Sequence, residues 1–283
     1  MRVKLWGVRG SIPVPGEAAT GYGGNTSCVG VTTGDGTELI LDAGSGIREL
    51  GADISGRCRH VHVLLTHLHL DHIQGLTFFA PIFDPDVEVT VWGPPALGRG
   101  LRERLARFIS NPIFPVEIRD LPARLNFRDM PTTPCRIGGV EVRTSLVAHR
   151  GLTLGYRLTQ DAASLCYLPD HEPGLGQNLS VSDPDWISGH ALASGASLLI
   201  HDCQYTDAEY PTHRGYGHSR VSDTLAFAAR ANPRRTLLFH HDPGHDDADL
   251  DAMAEEAASQ WETHGGDGTV EMARECQVIE LGR

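Results

Sequence analysis

Residues 67–72 read HLHLDH, placing three histidines and an aspartate in six positions directly after the apolar stretch VHVLLT. On a strand, His67 and His69 would point the same way, because side chains alternate from face to face. Two imidazoles on one side of a strand end can grip one metal ion. Asp71 and His72 follow where a loop can aim them at a second ion about 3.5–4 Å away. Imidazole with carboxylate suits zinc, manganese or iron. Cysteine offers no competing site. Cys28, Cys58, Cys135, Cys166, Cys203 and Cys276 never fall as CxxC, and they read as small buried hydrophobes of a reducing compartment rather than as a disulfide framework.

These side chains need a rigid frame. Strand candidates, rich in Val, Ile, Leu or Thr and bounded by Gly, Pro or Asp, run over 2–6, 28–33, 38–42, 61–66, 87–92, 140–147, 153–158, 164–168, 197–201, 236–240 and 269–281. ELILDAG and VHVLLTH are apolar on both faces, as strands inside a layered core must be. Three- and four-residue apolar spacing predicts helices over 97–110, 220–231 and 247–263, the last with Gly265 as its stop signal. Many strands with helices near the middle and end predict an α/β fold, two sheets face to face with helices outside. The 283 residues form one expected domain, 1–283. Residues 93–135, proline-rich and poor in strand character, are expected to be an insertion, either a lid near the site or a surface excursion.

HLHLDH resembles the metal-binding signature of the metallo-β-lactamase fold superfamily, and the resemblance runs over essentially the whole chain. It implies a four-layer αββα sandwich and two divalent metal ions, zinc in the first instance, with manganese or iron as alternatives. LILDAGSGI resembles the superfamily's first motif, which makes Asp42 a buried support for the metal loop. VAHRG places His149 where the superfamily has the third ligand of the first metal, beside His67 and His69. CYLPDHE places Asp170 as the carboxylate between both metals. LLFHHDP supplies the last ligand of the second metal, beside Asp71 and His72. Strand alternation selects His241, and a one-residue slip would select His240. The implied set leaves room for a bridging water, whose pKa two metals lower toward neutrality.

The stretch LLIHDCQYTD…GYGHSRVSD is similar to the tRNA 3′-processing endonucleases (RNase Z) and related phosphodiesterases. There an acidic residue pairs with the histidine of a GHS motif, which assists the leaving group. Carried over, Asp202 orients His218, and these two join Asp71 as expected catalytic side chains. The chain departs from RNase Z in having His201-Asp202 for His-Glu, Arg220 after Ser219, and no room for a tRNA-gripping arm between LGYRL and CYLPD. Arg150, Arg214 and Arg220 are candidates for holding a phosphate. His171 is a candidate for lining the pocket.

Twenty-four Lys and Arg against 36 Asp and Glu leave a net charge of −12, and Lys4 is the only lysine. That balance opposes a broad surface for nucleic acid or anionic membrane. No apolar run approaches the 18 or so residues that span a bilayer, and the N-terminus lacks a signal peptide's apolar core. The expectation is a cytoplasmic phosphodiesterase acting on a small diester such as a cyclic nucleotide. An RNA-processing nuclease, or a lactone, carboxylic ester or thioester hydrolase on the same metal core, is the alternative. A flavodiiron redox protein and a non-catalytic metal-stabilised binder rank lower. The superfamily often pairs, so a homodimer is an implied assembly.

Overall fold

The computed structural model describes residues 1–264 and 266–282, so the stop signal expected at Gly265 lies outside the described residues. The strands are β1 (Arg2–Gly7), β2 (Cys28–Thr32), β3 (Glu38–Leu41), β4 (His60–Leu64), β5 (Glu88–Gly93), β6 (Arg124–Asp129) and β7 (Cys135–Ile137). They continue with β8 (Val140–Leu146), β9 (Leu154–Gln160), β10 (Ala163–Leu168), β11 (Leu198–Asp202), β12 (Arg235–Phe239), β13 (Thr269–Met272) and β14 (Val278–Glu280). The α-helices are α1 (Ile47–Ile54), α2 (Leu70–Ile73), α3 (Leu101–Ala106), α4 (His190–Ala193), α5 (Tyr210–His213), α6 (Val221–Ala231) and α7 (Asp247–His264).

Two sheets result, ordered β14-β1-β2-β3-β4-β5-β6 and β13-β12-β11-β10-β9-β8-β7. Alternation decides what each strand buries. In β3, Leu39 and Leu41 face the opposite sheet while Ile40 joins the outer cluster. Val31, Leu39, Leu165, Tyr167, Ile200 and Phe239 belong to one cluster drawn from both sheets, the central core. Outside the first sheet, Ile40, Val63 and Val89 pack with Ile47, Leu50 and Ile54 of α1 and with Leu101 and Leu105 of α3. Outside the second sheet, Leu199 and Leu238 lie under α6 and α7, which contribute Phe227, Leu225, Leu250 and Met253. The layers are therefore αββα, as the sequence predicts.

Three expectations change. The helix placed at 97–110 is reduced to α3, because Gly98 takes φ +89° and Leu97 lies wholly in solvent, a conformation that glycine permits and that interrupts a helix. The strand placed at 269–281 is two strands in different sheets: β13 pairs with β12, β14 pairs with β1, and Cys276 turns the chain between them at φ +63°. Segment 93–135, expected to be poor in strand, supplies the edge strand β6 beside β5. Its Ile109, Ile118 and Leu121 are buried in the outer cluster of the first sheet. Among the described residues no helix is long and apolar enough to cross a membrane.

Strands β3 to β6 run parallel, as do β10 to β13. The loops leaving their carboxyl ends collect on one side of the sandwich, where open α/β sheets place ligands. Leu165 lies midway through the central core, fully buried. Truncating it to alanine is expected to lower unfolding free energy by about 2–5 kcal/mol, measured by urea denaturation. A loss under about 1 kcal/mol would mean that the core between the sheets is not tightly packed.

Candidate metal centre

HLHLDH does not lie on a strand. β4 ends at Leu64, the chain turns through Thr66 to His69, and Leu70 opens α2. His67 and His69 converge because the loop folds them together, ring centres 4.3 Å apart, rather than by strand alternation. The four-residue helix α2 carries Asp71 and His72 inward, both buried. His149 follows β8, Asp170 follows β10, Asp202 ends β11 and His240 follows β12.

The structure brings six of the seven expected ligands together and replaces the seventh. His67, His69, His149 and Asp170 each offer a ligand atom within 4.8 Å of the others, and so do Asp71, His72 and His240. Asp170 stands between the groups, its Oδ2 3.4 Å from His149 Nε2 and its Oδ1 3.0 Å from His72 Nε2. His241 is not among them. β12 stops at Phe239 and His240 takes φ +67°, so the alternation that selected His241 ends one residue too early. His240 Nε2 reaches Asp71 Oδ2 and Asp170 Oδ1, both at 3.3 Å. The His241 ring turns away, donates from Nε2 to Ala273 O at 2.8 Å and meets Tyr22 edge to face. Gly10 makes room for the exchange, since a Cβ there would lie 2.4 Å from the His240 ring.

Whether these residues fit metal ions can be read from their other nitrogens. His72 Nδ1 donates to Asp42 Oδ2 at 2.8 Å, and His149 Nδ1 donates to Gly217 O at 2.7 Å. His67 Nδ1 donates to Thr66 Oγ1 at 3.0 Å, and His240 Nδ1 to Gln204 Oε1 at 3.2 Å. A histidine whose Nδ1–H is engaged keeps its Nε2 lone pair free for a metal. In each case that Nε2 faces the cluster. His67 Nε2, His72 Nε2 and Asp170 Oδ1 are buried and lack a hydrogen bond, although His72 Nε2 and Asp170 Oδ1 are close. Buried polar atoms that share a space without bonding one another are what a cation site requires. The donor set therefore fits.

Electrostatics agrees. Burial pushes His67, His69 and His149 below the ordinary imidazole range, toward the neutral form that ligates. Burial also opposes charge on His72, but the Asp170, Asp71 and Asp42 carboxylates outweigh it and push its pKa above the ordinary imidazole range. Burial would raise the Asp71 and Asp170 carboxyls. The neighbouring histidine charges reverse this and hold both well below the usual range.

Asp202 and His218 meet as expected, His218 Nδ1 donating to Asp202 Oδ2 at 2.7 Å. The carboxylate also accepts from the backbone N–H of His171, Gln204 and Ser219. Burial would lower the His218 pKa, but the Asp202 charge and hydrogen bond prevail and raise it to about 9. Its ring lies 5.0 Å from that of His149 and 4.8 Å from that of His240. The arginine candidates separate. Arg220 is bound to Asp223 and lies over Tyr210. Arg150 donates to Gly215 O beside the cluster. His171 is fully buried against His201 and Phe227.

Sequence reasoning did not single out Thr66, Gln204, Gly217, Ser11 or Glu172. Ser11 N donates to Asp71 Oδ2 at 2.8 Å, which gives the glycine-rich opening loop a role in holding that carboxylate. The buried Arg9 anchors the same loop by donating to Gly23 O, Asp242 O and His245 O. An acid in CYLPDHE and polar residues after apolar strands were the available signals.

Two facing sheets with helices outside, and a histidine–aspartate cluster at the strand ends, define a hydrolase of the metallo-β-lactamase fold. The chain belongs to the beta-lactamase superfamily domain family, whose model matches residues 37–241. It is 26% identical to a ribonuclease Z of Kineococcus radiotolerans, over 87% of each chain. It is also 26% identical to the ribonuclease Z of Mycobacterium marinum, over 99% of each. Among solved structures, the metallo-beta-lactamase fold protein YhfI of Bacillus subtilis superposes with TM-score 0.71 at 19% identity, over 99% of each chain. The short form of human tRNase Z superposes with TM-score 0.67 at 18% identity, over 100% of each. Divalent metal ions are what this fold implies.

Replacing His240 by alanine is expected to lower the divalent metal content of purified protein, measured by plasma mass spectrometry. His241→Ala is expected to leave metal content unchanged while weakening the fold. The reverse pattern would return the ligand role to His241.

Proposed function

We propose that this hydrolase cleaves phosphodiesters, with a small diester of the cyclic nucleotide kind as substrate. The observation that carries the reading is His218. A leaving alkoxide needs a proton, and a histidine held in one tautomer by a carboxylate can deliver it. His218 has its Nδ1 on Asp202 and its ring against the ligand histidines His149 and His240. A pKa near 9 keeps it protonated at neutral pH. A thioester hydrolase has less need of such an acid, because a thiolate departs more easily than an alkoxide.

His67, His69, His149 and Asp170 would hold one metal ion, and Asp71, His72, His240 and Asp170 a second. Zinc suits these donors, with manganese or iron as alternatives. Bound there, the ions supply Lewis acidity toward phosphoryl oxygens and water acidified toward neutral pH. The protein's part is orientation. Asp42, Thr66, Gly217 and Gln204 fix the rings, Asp71 is held by Ser11 N, and Asp202 aims His218.

The small-substrate reading is supported by the net charge of −12 and by the two-residue turn, Asp161 and Ala162, between β9 and β10. An RNA diester is the second reading, favoured by the relatives named ribonuclease Z. Hydrolysis of bis(p-nitrophenyl) phosphate by metal-quantified protein tests the common core. His218→Ala is expected to slow alkyl-leaving-group diesters by about 10²–10⁴-fold and nitrophenyl diesters far less. Equal loss on both would remove the acid role, and activity confined to lactones or thioesters would overturn the phosphodiester reading. Competition between a cyclic nucleotide and a precursor tRNA decides substrate size.

A further inference from the structure

We propose that Glu172 is a positioning residue, one that sets the loop carrying His218 and the ring of His149 at the same time. Its part in turnover rests on the phosphodiesterase reading, while its part in holding the loop does not.

Glu172 is 2% exposed and two residues beyond Asp170. A carboxylate so buried must be satisfied by donors, and every donor it has comes from 210–217. Gly215 N reaches Oε1 and Gly217 N reaches Oε2, each at 2.8 Å, and Tyr210 OH donates to Oε1 at 2.8 Å. The grip is close to bidentate and charge-assisted, the stronger kind of hydrogen bond. The glycines it holds have positive φ, +84° at Gly215 and +100° at Gly217. Such a loop has wide conformational freedom without an anchor.

The consequences run in two directions. Gly217 presents its carbonyl to His149 Nδ1, which sets the tautomer and tilt of a ligand imidazole. The next residue is His218, whose Nδ1 must meet Asp202. The far end of the loop is closed independently, by Ser219 N on Asp202 and Ser219 Oγ on His171 O. Glu172 N itself donates to Ala148 O, tying the segment before His149 to the same strap. The loop after β10 therefore carries a ligand at Asp170, an N–H for Asp202 at His171, and the clamp at Glu172.

Glu172→Gln keeps the volume and replaces one acceptor oxygen by an amide NH₂ that faces a backbone N–H. Hydrogen–deuterium exchange on the whole protein is expected to accelerate by about tenfold or more in peptides covering 213–218, with peptides covering 38–64 unchanged. Divalent metal affinity is expected to fall by about 10–100-fold, the usual effect of losing a ligand's supporting partner. Turnover of alkyl-leaving-group diesters should fall more than that of nitrophenyl diesters, because His218 is displaced with the loop. Tyr210→Phe, which removes one donor and leaves the carboxylate, should shift exchange and metal affinity in the same direction by a smaller factor, and it decides the matter if Glu172→Gln fails to fold. Unchanged loop exchange and metal affinity in the folded variant would overturn the proposal. If the parent protein cleaves no diester, the phosphodiesterase reading falls, while exchange and metal affinity still judge Glu172.

Discussion

Burial of the Asp42 carboxylate between the sheets is the constraint on which the remaining architecture depends. Taking a carboxylate from water costs several kcal/mol unless donors surround it. Asp42, at the end of β3 and fully buried, receives Thr66 N and Oγ1 from the loop after β4, Nδ1 of His72, and the Tyr167 hydroxyl from the opposite sheet. The group thus joins the two sheets and orients an imidazole of the cluster in one stroke. Thr66 extends the effect, since its hydroxyl donates to Asp42 and accepts from His67 Nδ1. Two of the cluster's rings are therefore directed from a single buried charge.

The same device recurs around the centre. Asp202 gathers His171 N, Gln204 N, Ser219 N and His218 Nδ1. Gln204 passes the constraint to His240, and Gly217 passes that of Glu172 to His149. Each ring whose Nδ1 is held presents Nε2 to a common space, and the space collects negative charge from Asp71 and Asp170. The lone pairs and carboxylates are set in advance, so a cation entering the space meets little reorganisation. Preorganisation of this kind is what metal-assisted hydrolysis draws on.

Much of this was legible in the residues. Apolar runs ending in His or Asp located Asp42, His67, His149, Asp170 and Asp202 at the strand ends, because a strand must stop where polar side chains gather. The choice between His240 and His241 was not legible. It depended on where β12 ends, and the positive φ of His240 comes from packing against the Gly10 turn, whose residues are distant in sequence. The split of 269–281 was hidden for a related reason, since both strands bury apolar residues and only pairing partners distinguish them. Edge strand β6 was masked by surrounding prolines, although Leu125 and Phe127 do alternate toward the outer cluster. Glu172 was illegible because its partners are backbone amides of a loop some forty residues away.

The proposed chemistry depends on two cation positions sharing Asp170. Anomalous diffraction from crystals grown with zinc, collected on both sides of the metal's absorption edge, tests this directly. Two peaks are predicted, one within ligand distance of His67, His69 and His149 and one of Asp71, His72 and His240, with Asp170 reaching both. No peak at these side chains, or a single peak with no density shared between the two groups at Asp170, would contradict it.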